Sequence, residues 1–124
     1  MAGLSALTVN PGDVVVADFP GVRETKRRPA LVVSTDDYHQ TRPDAILAVL
    51  TGQVAAATQR TDHILMDWSA AGLRRPTAYR TFLITVPRED IVAVIGRVSE
   101  RDWAEVQACL RISLATDPAS QVSQ

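Results

Sequence analysis

The sequence predicts a mainly β fold, a small barrel closed by one helix at its C-terminal end. Three observations carry this: short apolar runs rich in β-branched residues, turn-forming Gly, Pro, Ser and Asp between them, and a single stretch of helical periodicity after residue 98. The runs at 14–19 (Val-Val-Val-Ala-Asp-Phe), 30–33 (Ala-Leu-Val-Val) and 45–50 (Ala-Ile-Leu-Ala-Val-Leu) read as strands. Their near-continuous hydrophobicity implies cover on both faces, and their length and flanking breakers argue against buried helices. Further strands are expected at His63–Met66, Ala78–Val86 and Ile91–Val98, the last with a bulge or sharp bend at Gly96. Short helical turns are expected at Asp36–Gln40 and Trp68–Ala71. The long helix begins at Ser99, a capping hydroxyl followed by Glu100 and Asp102 near the positive end of the dipole. Trp103, Val106, Leu110 and Leu114 then recur at helical spacing and form the stripe that faces the sheet. One domain over 11–114 is expected, between a flexible N-terminus (1–10) and a flexible tail (115–124) too polar to bury.

Composition narrows the function. The chain of 124 residues is 46% hydrophobic and 22% charged, an ordinary globular balance that excludes collagen-like and disordered classes. Thirteen basic against fourteen acidic side chains leave a net charge of -1, so a nucleic-acid site has to be local rather than a basic coat over the whole surface. Cys109 is the one cysteine, which excludes an internal disulfide and a thiolate zinc site. No stretch approaches the roughly 18 apolar residues of a membrane span, and no signal peptide is evident, so a cytoplasmic protein is expected.

The local charge lies in two places. Arg23, Lys26, Arg27 and Arg28 crowd around a single acid, Glu24, and Arg74, Arg75 and Arg80 form a second cluster without one. Arginine suits phosphate because its planar fork donates two hydrogen bonds to one group. Pro29 forces extended backbone on Arg28 and so directs its side chain at a barrel rim. Thr51-Gly52-Gln53 closes the third strand with a hydroxyl, a glycine and an amide, and Thr51 shares a rim with Arg28 if the second and third strands are neighbours. His39 and His63 lack metal-ligand spacing and read as surface or packing residues. Trp68 reads as a rim or packing aromatic and Trp103 as core. No phosphate loop, nucleophile elbow or diagnostic carboxylate pair is present.

The series Gly12-Asp13-Val14-Val15-Val16-Ala17-Asp18-Phe19, followed by Lys26-Arg27-Arg28-Pro29-Ala30-Leu31-Val32-Val33-Ser34, resembles the start of the MazF/PemK toxin family. Ala45 to Gln53 is similar to that family's third strand and polar turn, Gly72-Leu73-Arg74-Arg75-Pro76-Thr77 to its Gly-Leu-x-x-Pro-Ser/Thr segment, and Ile95-Gly96-Arg97-Val98-Ser99 to the stretch before its helix. The resemblance runs in order over roughly residues 11–114. It implies an SH3-like barrel, a homodimer, a protein antitoxin, and sequence-selective cleavage of single-stranded RNA without metal or other cofactor. On that resemblance Arg28, Thr51 and Arg80 are the expected catalytic residues, and Arg23, Lys26, Arg27, Gln53, Arg74 and Arg75 are expected to contact RNA. Two positions depart from the pattern. Phe82 stands where relatives often carry an acid, and Glu24 is displaced by one position from the usual Glu-Gln pair.

A ribonuclease of this kind needs no nucleophile of its own, because the RNA 2′-hydroxyl attacks the adjacent phosphate to give a 2′,3′-cyclic phosphate and a 5′-hydroxyl. Arg28 is expected to stabilise the phosphorane, Thr51 to orient it and Arg80 to add charge. The group that accepts the proton stays open, with His39 an outside candidate. Two alternatives stand: a non-catalytic toxin of the same fold, similar to the gyrase poisons, and an RNA-binding member weakened by Phe82. The gyrase poisons bind through an apolar, tryptophan-bearing C-terminus, whereas this chain ends Ala-Ser-Gln-Val-Ser-Gln.

Overall fold

The fold was obtained as a computed structural model that describes residues 7–20 and 23–116. Six strands form one antiparallel sheet: β1 (Asp13–Pro20), β2 (Thr25–Val32), β3 (Asp44–Thr51), β4 (His63–Ile64), β5 (Ala78–Pro87) and β6 (Ile91–Arg97). A short helix α1 (Asp36–Thr41) joins β2 to β3, and α2 (Glu100–Ser113) follows β6. The mainly β class with a C-terminal helix is as the sequence predicts. The strand order is β4-β5-β3-β2-β1-β6, so the ladder is open, where a closed barrel was expected. The cause is local. β4 is two residues long, and the chain then leaves the sheet for a turn over Asp67–Gly72 instead of reaching β6.

That turn meets β6 by backbone contact. A Cβ on Gly96 would lie 2.0 Å from the Ala71 carbonyl oxygen, and one on Gly72, itself at φ +89°, would lie 2.2 Å from that of Ile95. Only glycine fits at either position. The expected irregularity at Gly96 is present: Val14 pairs with Gly96 but Val15 with Val94, which leaves Ile95 as the bulged residue. The helical turn expected at Trp68–Ala71 is a hydrogen-bonded turn rather than a helix, with the Ala71 N–H shared between the Asp67 and Trp68 carbonyls.

Strand alternation builds two cores, one on each face of the sheet, as the near-continuous apolar runs imply. Val15, Ala17, Ala30, Val32, Leu47 and Val86 pack on one side with Val9 and Phe19. Val14, Leu31, Ala48, Leu50 and Tyr79 pack on the other with Val106 and Cys109 of α2. Val9 is buried, so packing begins before residue 11; of the expected flexible ends, 1–10 and 115–124, residues 1–6 and 117–124 lie outside the described residues.

Ser99 caps α2, its Oγ accepting from the Asp102 N–H, as its sequence predicts. The buried stripe is Asp102, Val106 and Cys109, flanked by half-buried Trp103 and Leu110. Leu114 is exposed, contrary to expectation, because it is the C-cap residue with extended backbone and leaves the helical face. Asp102 is fully buried and satisfied. It accepts from the Met66 and Asp67 backbone N–H groups at 2.9 and 2.8 Å and lies 2.8 Å from His63 Nε2, with the Ser99 hydroxyl beside it. One carboxylate thus ties the start of α2 to β4 and to the turn that follows.

Candidate functional site

β2 begins earlier than its apolar run because Thr25–Pro29 pairs with β1 as a hairpin arm, Asp18 against Arg27 and Ala17 against Arg28. Its other edge joins β3 only over Ala30–Val32. Pro29, which has no N–H to give, stands where the two strands part. β3 runs on past the split, paired to β5 through Leu50 and Thr51. The parted strands leave the Leu50 carbonyl facing Arg28, whose Nη2 approaches it at 3.5 Å. Ala30 with Val49 is the last β2–β3 pair before the strands separate toward Arg28 and Thr51.

The split opens into a cavity of about 790 Å³ between the hairpin arm and residues 72–77. Its walls are apolar where the sheet (Val16, Leu50, Ile95) and Leu73 form them and cationic at the mouth (Lys26, Arg27, Arg28, Arg74, Arg75), with Glu24 as the one acid among the lining residues. Arg27 is neutralised: its guanidinium makes a two-pronged contact with Asp18, at 2.8 and 3.2 Å, and holds that carboxyl below its ordinary pKa. Arg80, Arg97 and Arg101 likewise face Asp62, Asp13 and Asp67. Among the described residues no carboxylate is ion-paired with Lys26, Arg28, Arg74 or Arg75. Four cations without a carboxylate partner thus share one opening of a molecule that is nearly neutral overall.

Gly52 shapes that opening. A Cβ there would lie 2.9 Å from Arg75 Nε, so the Arg75 side chain occupies the space that any other residue would fill. The Thr77 hydroxyl bonds the Arg75 carbonyl at 2.8 Å and steadies the backbone below. Gly52→Ala is expected to displace a flexible side-chain end and not the backbone. Stability should be unchanged while activity at this site falls about tenfold, since small misplacements of a charged contact are costly; a thermal melt beside a rate measurement checks this.

The expected site residues divide. The cavity gathers Arg28, Lys26, Arg27, Arg74 and Arg75. Thr51 is half-buried next to it, its Oγ1 accepting from the Gln53 N–H at 3.1 Å. Gln53 and Arg23 are exposed outside the lining. Arg80 stands apart, with its Nε 3.7 Å from Asp62 and its guanidinium over the Phe82 ring at 5.3 Å. His39 is buried against the Ser34 hydroxyl, away from the cavity, and burial pushes its pKa down. His63 serves Asp102, and Trp68 is a packing residue. No trio of His, Cys, Asp or Glu among the described residues is grouped closely enough to hold a metal ion. Sequence reasoning missed the apolar walls and the spacing role of Gly52. It also missed Asp102, although its place one turn before Val106 marked it as inward-facing.

The family model for the PemK-like, MazF-like toxin of type II toxin-antitoxin systems matches residues 10–114. The chain belongs to this family. Among curated relatives of the PemK/MazF-like chain is Endoribonuclease EndoA of Bacillus subtilis (strain 168), 29% identical over 113 residues that cover 88% of this chain and 97% of the relative. Similar solved folds include an endoribonuclease in complex with its cognate antitoxin from a mycobacterial species, with a TM-score of 0.69, 17% identity, and coverage of 89% of this chain and 100% of that one. The Deinococcus radiodurans MazE-MazF complex (Form-II) gives a TM-score of 0.68 at 18% identity, covering 90% and 99%. The stretch matched by the family model holds both halves of the PemK/MazF-like cavity, the hairpin arm and residues 72–77.

Proposed function

We propose that this PemK/MazF-like toxin is an endoribonuclease acting on single-stranded RNA in the cytoplasm, and that RNA enters the cavity beside Arg28. The observation that carries this is the gathering of cations at the mouth: Lys26, Arg28, Arg74 and Arg75 line one cavity, and none of the four is ion-paired with a carboxylate among the described residues. A polyanion supplies the missing partner. The name of the curated relative, an endoribonuclease, supports the same reading.

In the reaction the ribose 2′-oxygen gives up its proton and bonds to its own 3′ phosphorus, and the bond to the 5′-oxygen of the next nucleotide breaks as that oxygen takes up a proton, so the proton count is unchanged overall. Negative charge grows on the non-bridging oxygens. Arg28 offsets that charge as a fixed cation, and its very high pKa rules it out as a proton shuttle. Thr51, across the strand split, orients the phosphate or the 2′-hydroxyl through its hydroxyl group. Arg74 and Arg75 hold flanking phosphates. No step requires a metal ion.

An antitoxin polypeptide covering the cationic mouth is an expected partner, supported by the antitoxin complexes among similar folds; a second copy of the chain is expected on the family resemblance. The test is end-mapping of mixed-sequence RNA treated with the purified protein in EDTA. Cleavage that leaves 2′,3′-cyclic phosphate and 5′-hydroxyl ends, weakens with rising salt and favours single strands over duplex is the expected outcome. A strict metal requirement or 5′-phosphate ends overturns the chemistry.

A further inference from the structure

Phe82 is the most exposed large apolar side chain among the described residues, at 58%, and it stands at an unusual place in the sheet. Opposite β3, the pairing jumps from Leu50–Tyr79 to Ala48–Leu83, so β5 carries extra residues at Arg80–Phe82. At the centre of this bulge Thr81 has φ 55°, the one positive φ at a non-glycine position among the described residues. That conformation is costly for a β-branched side chain and persists only where its surroundings enforce it. Here they do: the Thr81 hydroxyl donates to the Thr61 carbonyl at 2.7 Å, and the neighbouring Arg80 is held against Asp62, whose side chain is only 3% exposed. Tyr79 and Leu83 both pack into the core cluster under α2, while between them Arg80 is half-buried and Phe82 is exposed. The Arg80 guanidinium lies 5.3 Å from the Phe82 ring centroid.

We propose that Phe82 is a stacking platform for one unpaired base of the RNA, with Arg80 as the positioning residue that fixes the ring. This rests on the RNA-cleaving reading above. Because Asp62 already neutralises Arg80, the guanidinium stiffens the ring rather than gathering phosphate, which distinguishes it from Arg28, Arg74 and Arg75. Thr51 pairs with Ala78 at the start of the same strand, so the bulge begins within about 10 Å of Thr51 along the sheet at the usual rise per strand residue. That distance corresponds to a base one or two nucleotides from the scissile phosphate. An aromatic face accepts any base, so the platform contributes affinity and register more than base identity.

The test uses a synthetic RNA that carries the mapped cleavage site, with a single abasic ribose placed at each flanking position in turn. Wild-type protein is expected to lose about tenfold in kcat/KM, mainly through KM, at one such position. Phe82→Ala should show the same loss on the intact RNA and none further on that abasic RNA, and Phe82→Trp should restore the wild-type pattern. Arg80→Gln should blunt the same abasic effect while the melting temperature stays within a few degrees of wild type. Identical abasic profiles for wild type and Phe82→Ala overturn the platform. So does a Phe82→Ala defect confined to self-association in sedimentation, which would mark the patch as a protein contact. Wild-type protein that cuts no RNA removes the RNA reading and this inference together, whereas cutting with an unaltered profile removes this inference alone.

Discussion

Arg28→Ala is expected to slow RNA cleavage by about 100- to 1,000-fold while the melting temperature stays unchanged. The first half follows from electrostatics: a preorganised cation aimed at charge that appears only in the transition state contributes on this scale when removed singly. The second follows from the surroundings of the side chain. Arg28 is exposed, its hydrogen bond to the Leu50 carbonyl is long at 3.5 Å, and among the described residues it has no ion pair to lose. Arg28→Lys keeps the charge but loses the planar fork, and should recover only part of the rate. The measurement is single-turnover cleavage of one mapped RNA by the three proteins, with the loss in the chemical step and not in binding. Full activity in Arg28→Ala would move the site elsewhere on the molecule.

Asp102→Ala is expected to give the largest loss of stability, about 3–5 kcal/mol, because it strands buried donors that have no other partner. The Met66 and Asp67 N–H groups, His63 and, at 3.3 Å, the Ser99 hydroxyl all converge on this carboxylate. Asp102→Asn should be nearly as damaging, since its amide nitrogen would have to face donors. Urea midpoints read the difference. The same site predicts an acid transition. Burial alone would raise the Asp102 pKa, but the Met66 N–H, His63 and the Asp67 N–H outweigh it and hold the carboxyl below its ordinary value. Asp67 is lowered too, by its bonds to Arg101 and then Ser99. A carboxyl depressed in the folded state stabilises above its unfolded pKa of about 3.9 and loses that contribution as pH falls through the folded value. Wild-type stability should therefore hold at neutral pH and decline below about pH 4, with a flatter acid limb for Asp102→Ala.

Much of this architecture was legible because strand alternation and apolar runs are local properties. β1, β3 and β6 stand within a residue of their sequence-predicted bounds, and the Gly96 irregularity was readable from one glycine in an apolar run. The misreadings have a common physical origin in long-range contacts. β2 starts at Thr25 because its polar half borrows order from β1, which no local pattern reveals. β4 stops at Ile64 because, past a single bond from Leu65 to the Thr77 carbonyl, the Met66 and Asp67 N–H groups turn toward Asp102, far along the chain. The site was legible in its cations and not in their pairing. Arg27 and Arg28 are neighbours of identical type, yet Asp18 across the hairpin neutralises one and leaves the other open. Arg80 looked like a third charge for the cluster; its partners, Asp62 and Phe82, become visible only when β5 bulges.

The glycine seam between the turn and β6 has a consequence for diversification. Gly72 and Thr77 are fixed, the first by its backbone apposition to Ile95 and the second by bonds to the Arg75 carbonyl and the Leu65 N–H. Leu73 packs against the core, but the exposed span after it, Arg74 to Pro76, can change its side chains without dragging the scaffold along. Charge at the mouth can thus be raised or lowered one side chain at a time on an unchanged chassis, so the grip of this span on a polyanion is adjustable independently of the fold.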